Sequence, residues 1–385
     1  MALFLLFSLF VCSSCKHTST LMQQQHNNDT LYMTEQLNKL TIKMMQQVVR
    51  TERGGNVWLS PWSIAAAMRT VHAGAEGETA EEILPLTTDF VPNNNELLKT
   101  ANALFIQPDV ELKEAYLADC KQRNAEIYSE KITAALVNNW AAEHTNDKIN
   151  NILKEPIPAS LRMLIANAIW FKGDWSSPFE AIDTHKELFK PKKGEPYSVD
   201  MMEKTDMFRY VEDKDMQCIS MFYKPSKEDG TRYVMDIILP REDVATTDII
   251  KKLSVEKLGE WFKGGHARKV NVLFPKLSLS YERELNNDLS ALGMSAVFNP
   301  AKADLSRMTK EKLFLGLVKQ SSFLRIDECG TEAAAVTVTM LKAGAMPVQE
   351  QITDFHVTRP YILLLREYTS GTILFIGKIE KVEQK

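Results

Sequence analysis

The side chains that could bind a metal or attack a carbonyl are few and scattered. The seven histidines, His17, His26, His72, His144, His185, His266 and His356, never recur at the short spacing that brings two imidazoles onto one helix face. Glu143 and His144 are neighbours, but adjacent helical positions point about 100° apart and do not face one another. No glycine-rich phosphate loop, serine nucleophile elbow or HExxH zinc motif occurs. Cys12 and Cys15 have redox spacing but lie in an export-like leader. Cys120, Cys218 and Cys329 are too widely spaced for a disulfide framework or a CxxC metal pattern. Enzyme chemistry, a metal and a cofactor are therefore not expected. Lys190-Pro191-Lys192-Lys193 sits among turn residues and reads as a solvated turn rather than a polyanion site.

One segment is odd on physical grounds. From Gly330 to Met346 small residues dominate, and no proline intervenes before Pro347. With the strand period of two, Thr331, Ala333, Ala335, Thr337, Thr339 and Leu341 share one face. Glu332, Ala334, Val336, Val338, Met340 and Lys342 share the other, which carries every charge. The first face could be buried while the second faces solvent, and Val336 to Thr339 has high strand propensity. The residues alone leave open an inner strand, an Ala-rich helix start, or a segment poorly held as a loop that is suited to become a strand.

The elements around it indicate an α+β class. Helical periodicity runs through Leu31 to Val49, Ser63 to Ala73 and Ala135 to Leu153. Short apolar runs at Met163 to Phe171, Tyr233 to Leu239, Lys269 to Phe274, Tyr361 to Leu365 and Ile373 to Ile376 read as strands. Helices thus dominate the first part and strands the second. With 385 residues, 44% hydrophobic and 25% charged, the chain is an ordinary folded protein, and a net charge of -4 argues against a nucleic-acid partner. No stretch is apolar for the length of a membrane span. Ala2 to Val11 is nearly all apolar and ends in Cys12-Ser13-Ser14-Cys15, which resembles a bacterial lipobox with Cys15 as the lipidated first mature residue. An ordinary secretory signal is the alternative. The expected organisation is a signal peptide over 1–15, a polar linker over 16–30 and one compact domain over 31–385. The expected location is a bacterial membrane, in the periplasm or at the cell surface, held by lipid alone, or otherwise secretion.

From Leu31 to Val382 the chain resembles the serpin family. Glu328-Cys329-Gly330-Thr331-Glu332-Ala333-Ala334-Ala335 is similar to the serpin hinge. Ser60-Pro61-Trp62-Ser63, Gly74 to Ala80, Asn139-Trp140, Asn167 to Trp175, Phe274 to Leu277, Leu292 to Met294, and Arg359 to Gly377 match further serpin motifs in order. The resemblance implies three β-sheets, eight or nine helices and an exposed reactive-centre loop held in a metastable state. It also implies a monomeric inhibitor of serine or cysteine proteases; the lack of a basic excess, separately, gives no expectation of a nucleic-acid or polyanion partner. The protease cleaves the loop, which inserts as a strand in the main sheet while the acyl-enzyme is still intact. A non-inhibitory binding or chaperone-like serpin is the alternative.

Counting from Glu328, the family pattern places the bait bond at Gly344-Ala345, with Lys342, Met340, Leu341, Ala343 and Met346 as alternatives. Thr331 to Gly344 would span about 46 Å as a strand at ~3.3 Å per residue, enough to cross a domain of this size. The resemblance also implies a buried polar cluster where the main sheet opens, made of Ser60, Ser63, Asn167 and Gln320, with Trp175 at the top of the sheet. Gln320 stands where serpins usually carry histidine, and its amide can both donate and accept. Cys329 is an unusual hinge residue and reads as an inert thiol.

Overall fold

The computed structural model describes residues 31–52, 54–86, 94–123, 125–332 and 351–384. The described helices are α1 (31–51), α2 (Pro61–Gly74), α3 (Gly77–Ile83), α4 (Glu114–Gln122), α5 (Ala134–His144), α6 (Thr246–Lys252), α7 (Val255–Gly264) and α8 (Asn286–Ala291). The strands of the first sheet are β2 (Leu98–Ile106), β3 (Glu126–Ser129), β4 (Met163–Phe171), β5 (Gly173–Asp174), β11 (Leu277–Glu284), β12 (Leu317–Ile326) and β13 (Gly330–Thr331). The second sheet holds β1 (Val57–Leu59), β6 (Thr184–Phe189), β7 (Tyr197–Glu212), β8 (Met216–Phe222), β9 (Tyr233–Pro240), β10 (His266–Pro275), β14 (Thr353–His356), β15 (Tyr361–Glu367) and β16 (Ile373–Ile379).

The first sheet has the order β3-β2-β4-β12-β13-β5, with β11 on the other side of β12. The second runs β1-β16-β15-β9-β8-β7-β10-β14, with β6 beside β7. The three sheets that the resemblance implies form two hydrogen-bonded networks among the described residues. The long β7 causes this, because it pairs with β6 at its start and with β8 at its end.

Strand β4 explains how the layers form. All nine of its residues are buried, as a strand covered on both faces requires. Met163, Ile165, Ile169 and Phe171 point into the main core, whereas Leu164, Ala166 and Ala168 join Val137, Trp140 and Ala141 of α5 in a smaller cluster. Each large apolar side chain so placed contributes about 1.5–3 kcal/mol. Helix α5 therefore lies across the outer face of the first sheet. Helix α2 lies inside, with eleven of its fourteen residues buried. Its start is encoded by Ser60, whose Oγ accepts the Ser63 N–H at 3.2 Å, and by Pro61 at the first helical position.

One helix is shorter than its periodicity predicts. The pattern from Ala135 to Leu153 gives a helix that ends at His144, because Asn146 and Asp147 take left-handed φ values of 48° and 61°. Thr145 stabilises that exit: its Oγ donates to the Ala141 carbonyl at 2.7 Å and accepts the Ile149 N–H at 3.0 Å.

Candidate functional site

Strands β4 and β12 lie parallel, and their seam is the centre of the site. Pairing runs from Leu164 with Leu317 to Ile169 with Ser322, and places Asn167 opposite Gln320. The Gln320 Oε1 accepts the Ser60 N–H at 3.0 Å. Its Nε2 donates to the Ser60 carbonyl at 3.0 Å and to Asn167 Oδ1 at 2.7 Å. The Asn167 amide donates in turn to Ser63 Oγ and, at 2.6 Å, to Asn102 Oδ1. Ser60 Oγ donates to the Leu374 carbonyl at 2.6 Å, and the Ser63 and Thr100 hydroxyls lie 2.8 Å apart. Ser60, Ser63, Asn167 and Gln320 are all fully buried. The cluster is therefore neutral, and loss of one partner strands others at about 1–3 kcal/mol each.

At one end the seam is built differently. Beyond Ser322, β12 runs on to Ile326 without β4. The short β13 fits there, with Thr331 between Ile326 of β12 and Gly173 of β5, antiparallel to both. Gly330 must be glycine, because a Cβ there would lie 2.1 Å from the Gly173 carbonyl oxygen. Thr331 is fully buried, and its hydroxyl is 2.6 Å from that of Tyr223, whose phenol burial pushes well up. Tyr223 stacks on Trp175 at 4.3 Å between ring centroids.

The turn before β13 is held on several sides. Trp175 Nε1 donates to the Asp327 carbonyl at 3.2 Å, and its backbone N–H donates to the Cys329 carbonyl at 2.8 Å. Glu328 receives Thr184 Oγ1 at 2.8 Å and Lys276 Nζ at 3.0 Å. Burial opposes its charge, but its own backbone N–H, Lys276 and Thr184 outweigh burial and hold the carboxyl below its ordinary range.

Glu332 departs from the solvent-facing position that strand alternation gives it. Its side chain is only 4% exposed, because the chain just past α5 covers that face of the sheet. Trp170 Nε1 donates to Glu332 Oε2, and Lys148 Nζ lies 3.4 Å from Oε1. Its φ of 55° is left-handed, so the chain turns away from the strand direction here.

The structure thus brings Ser60, Ser63, Asn167 and Gln320 together, and gathers Glu328, Gly330, Thr331 and Glu332 at the seam's end. Trp175 belongs with the second group, not with the polar cluster. Cys329 is a free, partly buried thiol. Ala333, Ala334, Ala335, Met340, Leu341, Lys342, Ala343, Gly344, Ala345, Met346 and Cys15 lie outside the described residues. Sequence reasoning missed Thr100 and Asn102, whose only signal is polarity in an otherwise apolar strand run. It also missed Tyr223, Trp170, Lys148, Thr184 and Lys276, which carry no local signal. His144 does not pair with Glu143: its Nε2 is 2.9 Å from Glu126 Oε1, and its Nδ1 is 2.7 Å from the Trp140 carbonyl. Among the described residues no group of His, Cys, Asp and Glu could hold a metal, and no helix is long and apolar enough to cross a membrane.

Comparison with known proteins places this geometry. A family model described as serpin (serine protease inhibitor) matches residues 35–382. Bovine plasminogen activator inhibitor 1 is 29% identical over 368 residues, covering 88% of this chain and 90% of that protein. An uncharacterized serpin-like protein of Thermococcus kodakarensis is 30% identical over 370 residues, covering 89% and 84%. The crystal structure of tengpin, a thermophilic serpin in its native state, superposes with a TM-score of 0.81 at 24% identity, covering 91% of this chain and 94% of that one.

Proposed function

The chain belongs to the serpin family, and from that premise we propose that it inhibits proteases by covalent suicide trapping. The target's nucleophile adds to the carbonyl carbon of the bait bond, and the C–N bond breaks. The new amino terminus leaves with a proton, and an ester or thioester joins the enzyme to the loop. The bait bond is Gly344-Ala345 by the family pattern, with Lys342 the foremost alternative. Insertion then lengthens β13 between β4 and β12 before water cleaves the acyl-enzyme.

The observation that carries this reading is the position of Thr331. It is already paired with β12 and β5 in the direction an inserted strand would follow. Further insertion requires Glu332 to leave its left-handed φ and its contacts with Trp170 and Lys148, and requires the Asn167–Gln320 pairing to part. The test is incubation with trypsin-, chymotrypsin- and elastase-like serine proteases and papain-like cysteine proteases. A denaturing gel showing a covalent adduct of added mass supports trapping, and cleavage without adduct refutes it. Mass spectrometry of the released peptide names the bond. Export through a lipid on Cys15 rests on the leader, and Cys15→Ala should abolish membrane fractionation.

A second reading, a ligand carrier, is favoured by a cleft of about 850 Å3 between α1, α7 and β15. Arg232 stacks there on Tyr368 at 4.6 Å. Cleavage without adduct, combined with saturable binding of a small aromatic acid, would select this reading.

A further inference from the structure

Three neighbouring strands of the second sheet, β7, β10 and β14, bury one face and expose the other. Thr205, Asn271 and Asp354 stand opposite one another and so form one row on one face. Two residues along, Met207 pairs with Lys269, and Ile352, one residue before β14 begins, continues that row. Two residues the other way lie Glu203, Leu273 and His356. The opposite face carries Val270, Val272 and Phe355, all fully buried, so the core lies on that side. Met207 and Ile352 remain 57% and 50% exposed. Single exposed apolar side chains are ordinary, but here two stand in one row beside a fixed polar centre.

Asn271 forms that centre. Its Nδ2 donates to Glu203 Oε1 at 3.1 Å and lies 3.4 Å from His356 Nε2, and its Oδ1 accepts Thr205 Oγ1 at 3.1 Å. Asp354, with its side chain 73% exposed, lies 3.7 Å from the same His356 nitrogen. Side chains of three strands thus hold one another in place, and docking onto them costs little further ordering. The chain reaches this face directly from the bait bond. From Ala345 to Ile352 is seven residues, at most about 25 Å at ~3.6 Å each, and from the alternative Lys342 about 36 Å. A protease of about 220 residues has a radius of gyration near ~17 Å and is about 44 Å across. Its body is wider than the tether is long, which brings its surface within reach of Ile352.

We propose that this face docks the target protease during encounter, on the side of the enzyme that borders the leaving group. That side follows from the chain, because the residues joining the bait bond to Ile352 are the ones released with the new amino terminus. The inference rests on the reading that a protease attacks the loop, but not on the trapping step. The partner that fits presents an apolar side chain to Met207 and Ile352 and a basic side chain to Asp354. A carboxylate so exposed steers approach more than it adds affinity. Once the bond is cut, the acyl-enzyme stays with the part of the loop before the bond, and this face stays with the part after it. The face therefore acts on approach and not on insertion, so the rate of attack and the fraction trapped become separable.

The test times loop cleavage in the full chain by pancreatic elastase, trypsin, chymotrypsin and papain, with adduct and cut product both counted on a denaturing gel. Met207→Ser/Ile352→Ser should slow the second-order rate about tenfold with at least one enzyme that cuts the parent, and leave the adduct-to-cut ratio unchanged. Asp354→Asn should slow it about threefold at low salt and flatten its salt dependence. A control pair of exposed apolar residues elsewhere, Leu84→Ser/Leu117→Ser, should match the parent. The proposal is overturned by parent rates in the Met207 and Ile352 pair with every enzyme, by equal slowing in the control pair, by a changed adduct-to-cut ratio, or by resistance of the parent to all four enzymes. Slower cutting with no adduct from parent or variants keeps this face and refutes trapping; adduct formation at the parent's rate does the reverse. Unchanged thermal unfolding separates lost docking from lost folding, and Met207→Gln alone, expected to slow attack about threefold, carries the same test should the pair unfold.

Discussion

The middle and the end of the β4–β12 seam do opposite jobs with opposite chemistry. The middle is closed by neutral amides and hydroxyls of Ser60, Ser63, Asn102, Asn167 and Gln320, each buried group satisfied by the next. The end receives a strand, and it uses aromatic rings and ions: Trp170, Trp175 and Tyr223 with Glu328, Glu332, Lys148 and Lys276. A neutral buried cluster resists opening because every parted bond strands a polar group at once. At the end the two lysines, Lys148 and Lys276, are already open to water and keep it when their pairs part, so the ions there separate more easily than the buried amides of the middle. The contrast describes a sheet that stays shut until the inserting strand itself supplies the missing partners.

Four substitutions probe this contrast, in order of decreasing effect. Gln320→Leu removes three buried hydrogen bonds, and should lower stability by about 3 kcal/mol in denaturant unfolding. A change under about 1 kcal/mol would mean that the middle does not hold the seam. Gly330→Val drives a side chain into the Gly173 carbonyl, and should cost about 2 kcal/mol, mostly local to the hinge. Hydrogen exchange should then speed up at Thr331 and stay slow at Gln320; equal acceleration at both sites would merge the two regions into one unit.

The pH dependence is next. Glu328 has a folded-state pKa below its unfolded value, so its contribution is present above the ordinary carboxylate range, about 4.3. It is lost as pH falls through the lower folded value. The stability gap between the parent and Glu328→Gln should therefore be full at pH 7 and shrink below about pH 4. A gap that widens on acidification would reverse the sign assigned here. Glu332→Gln keeps an acceptor for Trp170 and removes a nearly buried charge whose desolvation offsets its attraction to the solvated Lys148, so it should cost no more than about 0.5 kcal/mol. Its mark should be faster adduct formation, read by stopped-flow kinetics.

Much of this was legible in the residues, for reasons that can be stated. The helical period from Ser63 to Ala73 falls within α2, and the short apolar run Met163 to Phe171 is strand β4. The hinge alternation placed Thr331 on the buried side correctly. It misplaced Glu332 because alternation assigns a face but not what covers that face, and the chain past α5 covers it here. Asn146 and Asp147 ended α5 early, because a helical period does not register residues that adopt left-handed φ at low cost. Trp175, expected at the top of the sheet, packs beside the hinge, where its indole and backbone hold Asp327 and Cys329.

The central claim is that this serpin traps a protease by inserting the strand that Thr331 begins. The most direct measurement compares the parent with Thr331→Arg against a protease that cleaves both, scored on a denaturing gel. The account predicts a covalent adduct for the parent and cleavage without adduct for the variant, because position 331 is already buried beside Tyr223 where the strand enters, and an unpaired guanidinium there holds the hinge out of the sheet and blocks insertion. An adduct at the parent's ratio from Thr331→Arg would contradict it.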